Sequence, residues 1–193
     1  MKRIYIVLTH TGTNLSKIIK KWTKDEFSHV SISLDEDLEQ MYSFGRLHPY
    51  NPVWAGLVHE KQNEGTYKRF KKTKAAIYSI EVDDEQYVII RNTIHSMYKN
   101  RNKYKFNIIG LLAIGFNKSV KFKNWFYCAE FVKYVLDQAG VELGLSDKMI
   151  RPENFKYIEN KELEYYGLFR KYKKVSVLRQ MLEQARYKIA NNH

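Results

Sequence analysis

Cysteine is almost missing from this chain: Cys128 is the only one in 193 residues. That excludes an internal disulfide framework and any thiolate-rich metal site. Histidine does not fill the gap, because His10, His48, His59 and His95 share no short ligand spacing, so neither a metal nor a cofactor is expected. A lone thiol suits a reducing compartment, and the expectation is a cytoplasmic protein, with peripheral contact at a membrane surface left open. Long apolar runs are lacking as well. The opening Met1-Lys2-Arg3-Ile4-Tyr5-Ile6-Val7-Leu8 gives out at Thr9-His10 before a signal-peptide core is complete, and reads as a first strand. The apolar run from Ile108 to Phe116 is far short of the roughly 20 residues that span a bilayer as one helix. It reads as a buried helical segment near a groove.

Acidic residues are in deficit. Twenty-one Asp and Glu face 33 Lys and Arg, a net charge of +12, which favours anionic partners. The excess is clustered at Lys68, Arg69, Lys71, Lys72 and Lys74, at Lys99, Arg101, Lys103 and Lys105, and at Lys118, Lys121 and Lys123. Lysine dominates and no base-reading module accompanies it, so specific nucleic-acid recognition is not expected. A generally basic surface is the simplest reading; a lipid or membrane contact is the next.

What is present supports one domain. An apolar fraction of 44% is enough for a substantial core. Residues 3–9 read as a strand, Leu15, Ile18, Ile19 and Trp22 as a short helical stripe, and 29–34 with 39–45 as a hairpin turned at Asp35-Glu36-Asp37. The stretch 46–74, with its prolines and glycines, reads as an elaborated loop or flap. A strand over 75–82 is followed by a helix capped at Asp83 or Asp84. Further helices are expected over 107–116 and about 126–139, a helical turn from Pro152 to Tyr157, a last strand over Tyr165–Tyr172, and a basic tail helix over 175–189.

Two residues carry chemistry. In the run Trp125-Phe126-Tyr127-Cys128-Ala129-Glu130-Phe131-Val132, positions 128, 131, 132 and 135 share one helical face, so the sulfur belongs to the buried or cleft side of a first turn. Unpaired amide hydrogens there favour a thiolate. Far upstream, Phe27-Ser28-His29-Val30-Ser31-Ile32 puts an imidazole at the mouth of an alternating strand. Thiol and imidazole make a candidate nucleophile and base. The plainer alternative is a small buried hydrophobe and a structural or surface histidine.

At this pair the sequence resembles the NlpC/P60 superfamily, the papain-like thiol hydrolases and acyltransferases of bacteria, and within it the circularly permuted YiiX/YebB-like branch. The matching pieces are Phe27-Ser28-His29-Val30-Ser31-Ile32 and Phe126-Tyr127-Cys128-Ala129-Glu130-Phe131-Val132, with Ala139-Gly140-Val141 behind them. The resemblance spans 1–172 and leaves 173–193 as a separate basic C-terminal helix. It implies an α+β fold with a papain-like core, a small antiparallel sheet packed against the nucleophile helix, and the histidine strand ahead of the cysteine helix. It also implies attack of Cys128 on an amide or ester carbonyl, with His29 moving the proton and the Cys128 amide as an oxyanion donor. The third member is open: Ser43 is favoured by hairpin position, and Glu60, a carboxylate beyond the flap, is its rival. Tyr5, His10, Trp54 and Tyr127 are candidates for lining the site; Glu130 reads as a solvated helix residue. Expected substrates are a peptide, a lipid or another acyl-bearing molecule. A catalytically idle module that binds a lipid, a peptide or an anionic partner is the alternative.

Overall fold

Ile4, Ile6 and Leu8 occupy one side of the first strand, Tyr5, Val7 and Thr9 the other, and all six are buried. A strand apolar on both faces belongs in the middle of a sheet covered on both sides. A computed structural model describes residues 1–12, 25–146 and 149–172 (52 and 53 by backbone alone), together with 177, 181, 182, 184, 186, 187 and 189. The first strand, β1 (Lys2–His10), is flanked by β2 (His29–Ser33) and β5 (Lys74–Val82). β3 (Met41–His48) and β4 (Asn51–Glu60) extend the sheet beyond β2, and β8 (Lys161–Leu168) closes it beyond β5. Every neighbouring pair in the order β4-β3-β2-β1-β5-β8 is antiparallel.

Helices cover one face. α2 (Asp84–Lys99) begins with a reciprocal capping box between Asp83 and Gln86 and buries Ile90, Ile94 and Met97. α4 (Cys128–Gln138) buries Phe131, Val132, Val135 and Leu136 completely and packs on β2 and β3. Each such side chain contributes roughly 1.5–3 kcal/mol by leaving water. The other face carries a smaller cluster of Tyr5, Val7, Met41, Ile77, Phe169 and Tyr172, closed by Tyr67 from the short α1 (Gly65–Arg69). Before α4 the chain makes a loop. β6 (Lys105–Phe106) pairs in parallel with β7 (Trp125–Phe126), and α3 (Ile108–Ala113) and a 3₁₀ turn at Ile114–Phe116 lie between them.

The result is an α+β arrangement, an antiparallel sheet with several helices. Four expectations need correction. The stretch 46–74 is no flap: β3 runs on to His48 and pairs with β4 through a hairpin irregular at Arg46/His48, so Gly45 and Gly56 face each other inside the sheet and do not break it. The last strand ends at Leu168, because Phe169 turns into the second cluster while its N–H bonds Thr73 O at 2.9 Å. The segment 107–116 is helical in two pieces, α3 and the 3₁₀ turn. The cysteine helix starts at Cys128 because Trp125 and Phe126 pair with β6. The expected stripe at 15–22 lies outside the described residues. So does most of the tail helix; its described positions are helical, with Met181 and Ile189 exposed. Among the described residues no helix is long and apolar enough to cross a membrane.

Candidate active site

The site begins at a fork in the sheet. β1 and β2 stay paired from Tyr5↔Ser33 to Thr9↔His29, but β2 and β3 exchange only two pairs, Ile32↔Tyr42 and Ser33↔Met41. Beyond those pairs the strands part, and the gap holds His29. The helix α4 reaches the gap from one face, placing Cys128 at its first turn, buried at 4% exposure. Cys128 lies close enough to the His29 ring to raise its pKa.

Glu60 comes to the ring from the end of β4. Its Oε1 and Oε2 lie 3.2 and 3.3 Å from His29 Nε2, which leaves Nδ1 as the ring nitrogen available to the sulfur. Burial pushes the Glu60 carboxyl up, but His29 and the Ser31 hydroxyl outweigh it, and the group is held below the ordinary carboxylate range. Burial alone would strip His29 of its proton. The Glu60 carboxylate and Cys128 override that penalty and raise the imidazole to about 10. The arrangement is a buried carboxylate gripping an imidazolium, with the Cys128 sulfur nearby.

Ser43, the favoured orienter, does not touch the imidazole. It is fully buried and its Oγ has no hydrogen-bond partner. It lies near enough to Glu60 to help lower that carboxyl, yet off the line of a made hydrogen bond. The fork is the reason: continuing the hairpin register would set Ser43 opposite Ser31, but the strands have already separated. Gly45 leaves the space that Glu60 uses. A Cβ there would stand 3.2 Å from Glu60 Oε1 and 3.4 Å from the His29 ring.

Sequence reasoning missed Ser31, Tyr67 and Thr9. Ser31 Oγ donates to Glu60 Oε2 at 2.6 Å; its place two residues after His29 on one strand face was the available signal. Tyr67 OH donates to the same oxygen at 3.4 Å and lies 3.3 Å from Thr9 Oγ1. No local pattern announces that contact, since α1 reaches Thr9 only through the tertiary fold. Tyr67→Phe is expected to cost about 1 kcal/mol of stability, the usual net worth of one buried hydrogen bond. Urea denaturation would read this as a lower midpoint at unchanged slope.

The remaining candidates scatter. Tyr5 shares a sheet face with His29 but pairs with Ser33, four residues from Thr9 along β1, a separation of about 13 Å. It packs in the second cluster, where burial pushes its hydroxyl up to about 12. His10 is next to the site and its Nδ1 lies 3.3 Å from Ser28 Oγ. Trp54 is 65% exposed on β4, outside the buried contacts at His29. Tyr127 faces the core, donating its hydroxyl to Ile150 O at 2.8 Å, so it anchors the start of α4 and does not line a cleft. Glu130 is not solvated: its carboxylate accepts from Tyr127 N–H at 3.1 Å and from Asn107 Nδ2 at 3.4 Å, and burial raises its pKa. At the first turn of α4 the Cys128 amide has no partner within the helix. A groove of about 240 Å³, lined by Phe122, Trp125, Phe126 and Tyr134 among others, runs beside α4 and includes neither Cys128 nor His29. Among the described residues no cluster of His, Cys, Asp or Glu has the makings of a metal site. Compared with family models and with curated proteins, the chain matches none.

Proposed function

We propose that the protein is a cysteine-dependent hydrolase or acyltransferase acting on an amide or ester bond, with Cys128, His29 and Glu60 as its working groups. One observation carries this reading: the imidazole is held at Nε2 by a buried carboxylate at 3.2 Å, and the chain's only thiol is near enough to help raise the pKa of the same ring. A structural histidine needs neither partner in that order. Glu60 sets the ring's orientation and holds a proton on it, so the Cys128 proton already resides on His29 and the sulfur attacks the carbonyl carbon as a thiolate paired with the imidazolium. The C=O pair moves to oxygen, where the Cys128 amide at the open helix end donates to it. Collapse of the intermediate expels the amine or alcohol, which leaves with the proton from His29, and a thioester remains on Cys128. Water or another acceptor then attacks that thioester, with His29 again removing the proton.

The chain order supports a permuted NlpC/P60-like core, papain-like in chemistry: the histidine strand, then the carboxylate strand, then a cysteine helix packed on an antiparallel sheet. p-Nitrophenyl acetate tests the reaction directly. The wild type is expected to release a burst of one equivalent of nitrophenolate and to gain an acetyl group on Cys128 by mass spectrometry; Cys128→Ser should do neither. A burst of equal size in Cys128→Ser, or no acetyl group on Cys128, would leave an idle binding module as the better account.

A further inference from the structure

We infer that the loop between β6 and β7 docks the protein on an anionic phospholipid bilayer. The loop presents its apolar residues outward. Ile109, Leu112 and Phe122 are 49%, 41% and 45% exposed, whereas Gly110, Leu111 and Ile114 are buried beneath them. Ile109 and Leu112 stand one turn apart on α3, and large apolar side chains held out in water mark a contact surface.

The exposure is built into the fold. Asn107, fully buried, accepts from Gly110 N–H at 2.8 Å and donates to Val120 O at 2.8 Å, and its amide also reaches Glu130 on α4. The loop is thereby closed on itself and fastened to the helix that bears Cys128. A loose loop would fold its apolar side chains back; this one is held with them out.

Charge names the occupant. From Gln86 to Ala129 the sequence has no Asp or Glu, yet it holds eight Lys and Arg. Lys118, Lys121 and Lys123, all exposed, bracket Phe122. An apolar tip with a lysine collar fits a layer that is hydrocarbon inside and negative at its rim. A second copy of the same face would bring like charges together. A nucleic-acid backbone would satisfy the lysines and leave isoleucine and leucine in water.

The docking does not depend on the chemistry at Cys128. Combined with the proposed function, it makes the acyl group of a membrane lipid the substrate class, because the loop leads through β7 straight into Cys128. Co-sedimentation separates the two. Wild type and Cys128→Ser are both expected to pellet with vesicles of phosphatidylcholine and phosphatidylglycerol, and neither with phosphatidylcholine alone. Added salt should weaken the binding. The pair Ile109→Ser/Leu112→Ser and the triple Lys118→Gln/Lys121→Gln/Lys123→Gln should each lower the bound fraction about tenfold. Phe122→Ser alone, at a half-exposed site, provides a second probe of the apolar tip. Equal binding by all variants overturns the inference. So does failure of the wild type to pellet with anionic vesicles, or a dimer in lipid-free solution that Ile109→Ser/Leu112→Ser returns to monomer.

Discussion

His29→Ala is expected to slow acylation of Cys128 by about 10²- to 10⁴-fold, the range that a positioned acid–base group contributes. The burst rate with p-nitrophenyl acetate measures it, and a rate within a factor of two of wild type would remove His29 from the reaction. Glu60→Gln supplies the matching test in pH. In the wild type the imidazole is raised to about 10 by Glu60 and Cys128, so its Cε1 proton resonance should not titrate between pH 5 and 8. With Glu60 neutral the burial penalty dominates, and the titration should move down into that window or below it. The sign for stability follows from linkage. His29, raised in the fold from an ordinary 6.5, stabilises fully below that value and loses its contribution as pH climbs toward about 10. Glu60, lowered from 4.5, stabilises above that value and loses its contribution as pH falls through its depressed pKa. The pair therefore favours the fold most between 4.5 and 6.5, and Glu60→Gln should flatten both flanks of the melting-temperature profile.

Gly110→Ala is expected to destabilise the protein by about 2–4 kcal/mol, through overpacking and loss of buried hydrogen bonds. The added Cβ would lie 2.3 Å from Asn107 Nδ2 and 2.7 Å from Val120 O. One neighbour is backbone and the other is the amide that caps α3, so neither gives way without opening the loop. Thermal denaturation measures the loss, and hydrogen exchange should locate it in the amides of 105–127. If the melting temperature and the loop exchange both stay at wild-type values, Asn107 has a second place to put its side chain and is not the fastening described above.

Local pattern revealed much of this architecture. A run of Ile, Tyr and Val marked β1 and alternation marked β2 and β5; Asp83 marked the start of α2; the apolar stripe behind Cys128 marked α4 and the buried side of its first turn. The long β3–β4 hairpin was hidden by its own residues. Pro52 and Gly56 read as breakers when taken singly, but Gly56 pairs with Gly45 across the hairpin, where the side chain absent at Gly45 leaves room for Glu60. The contact between His29 and Glu60 spans 31 positions and two strands, a distance that no periodicity encodes. Ser43 looked better placed because hairpin geometry extrapolates, and extrapolation cannot see where paired strands separate. Glu130 looked solvated because helical periodicity places it off the core face, whereas the preceding loop, folded back through Asn107, covers it.

That separation of β2 from β3 has a mechanical side. With only two residue pairs joining them, the sheet has a seam, and the imidazole and its carboxylate belong to opposite banks. The ionic contact acts as a clasp across the joint. Loosening the joint slackens the acid–base pair, and protonating the carboxylate loosens the joint. Amides at positions 29–31 should therefore exchange faster in acid than their counterparts along β1 and β5, where the ladder is unbroken.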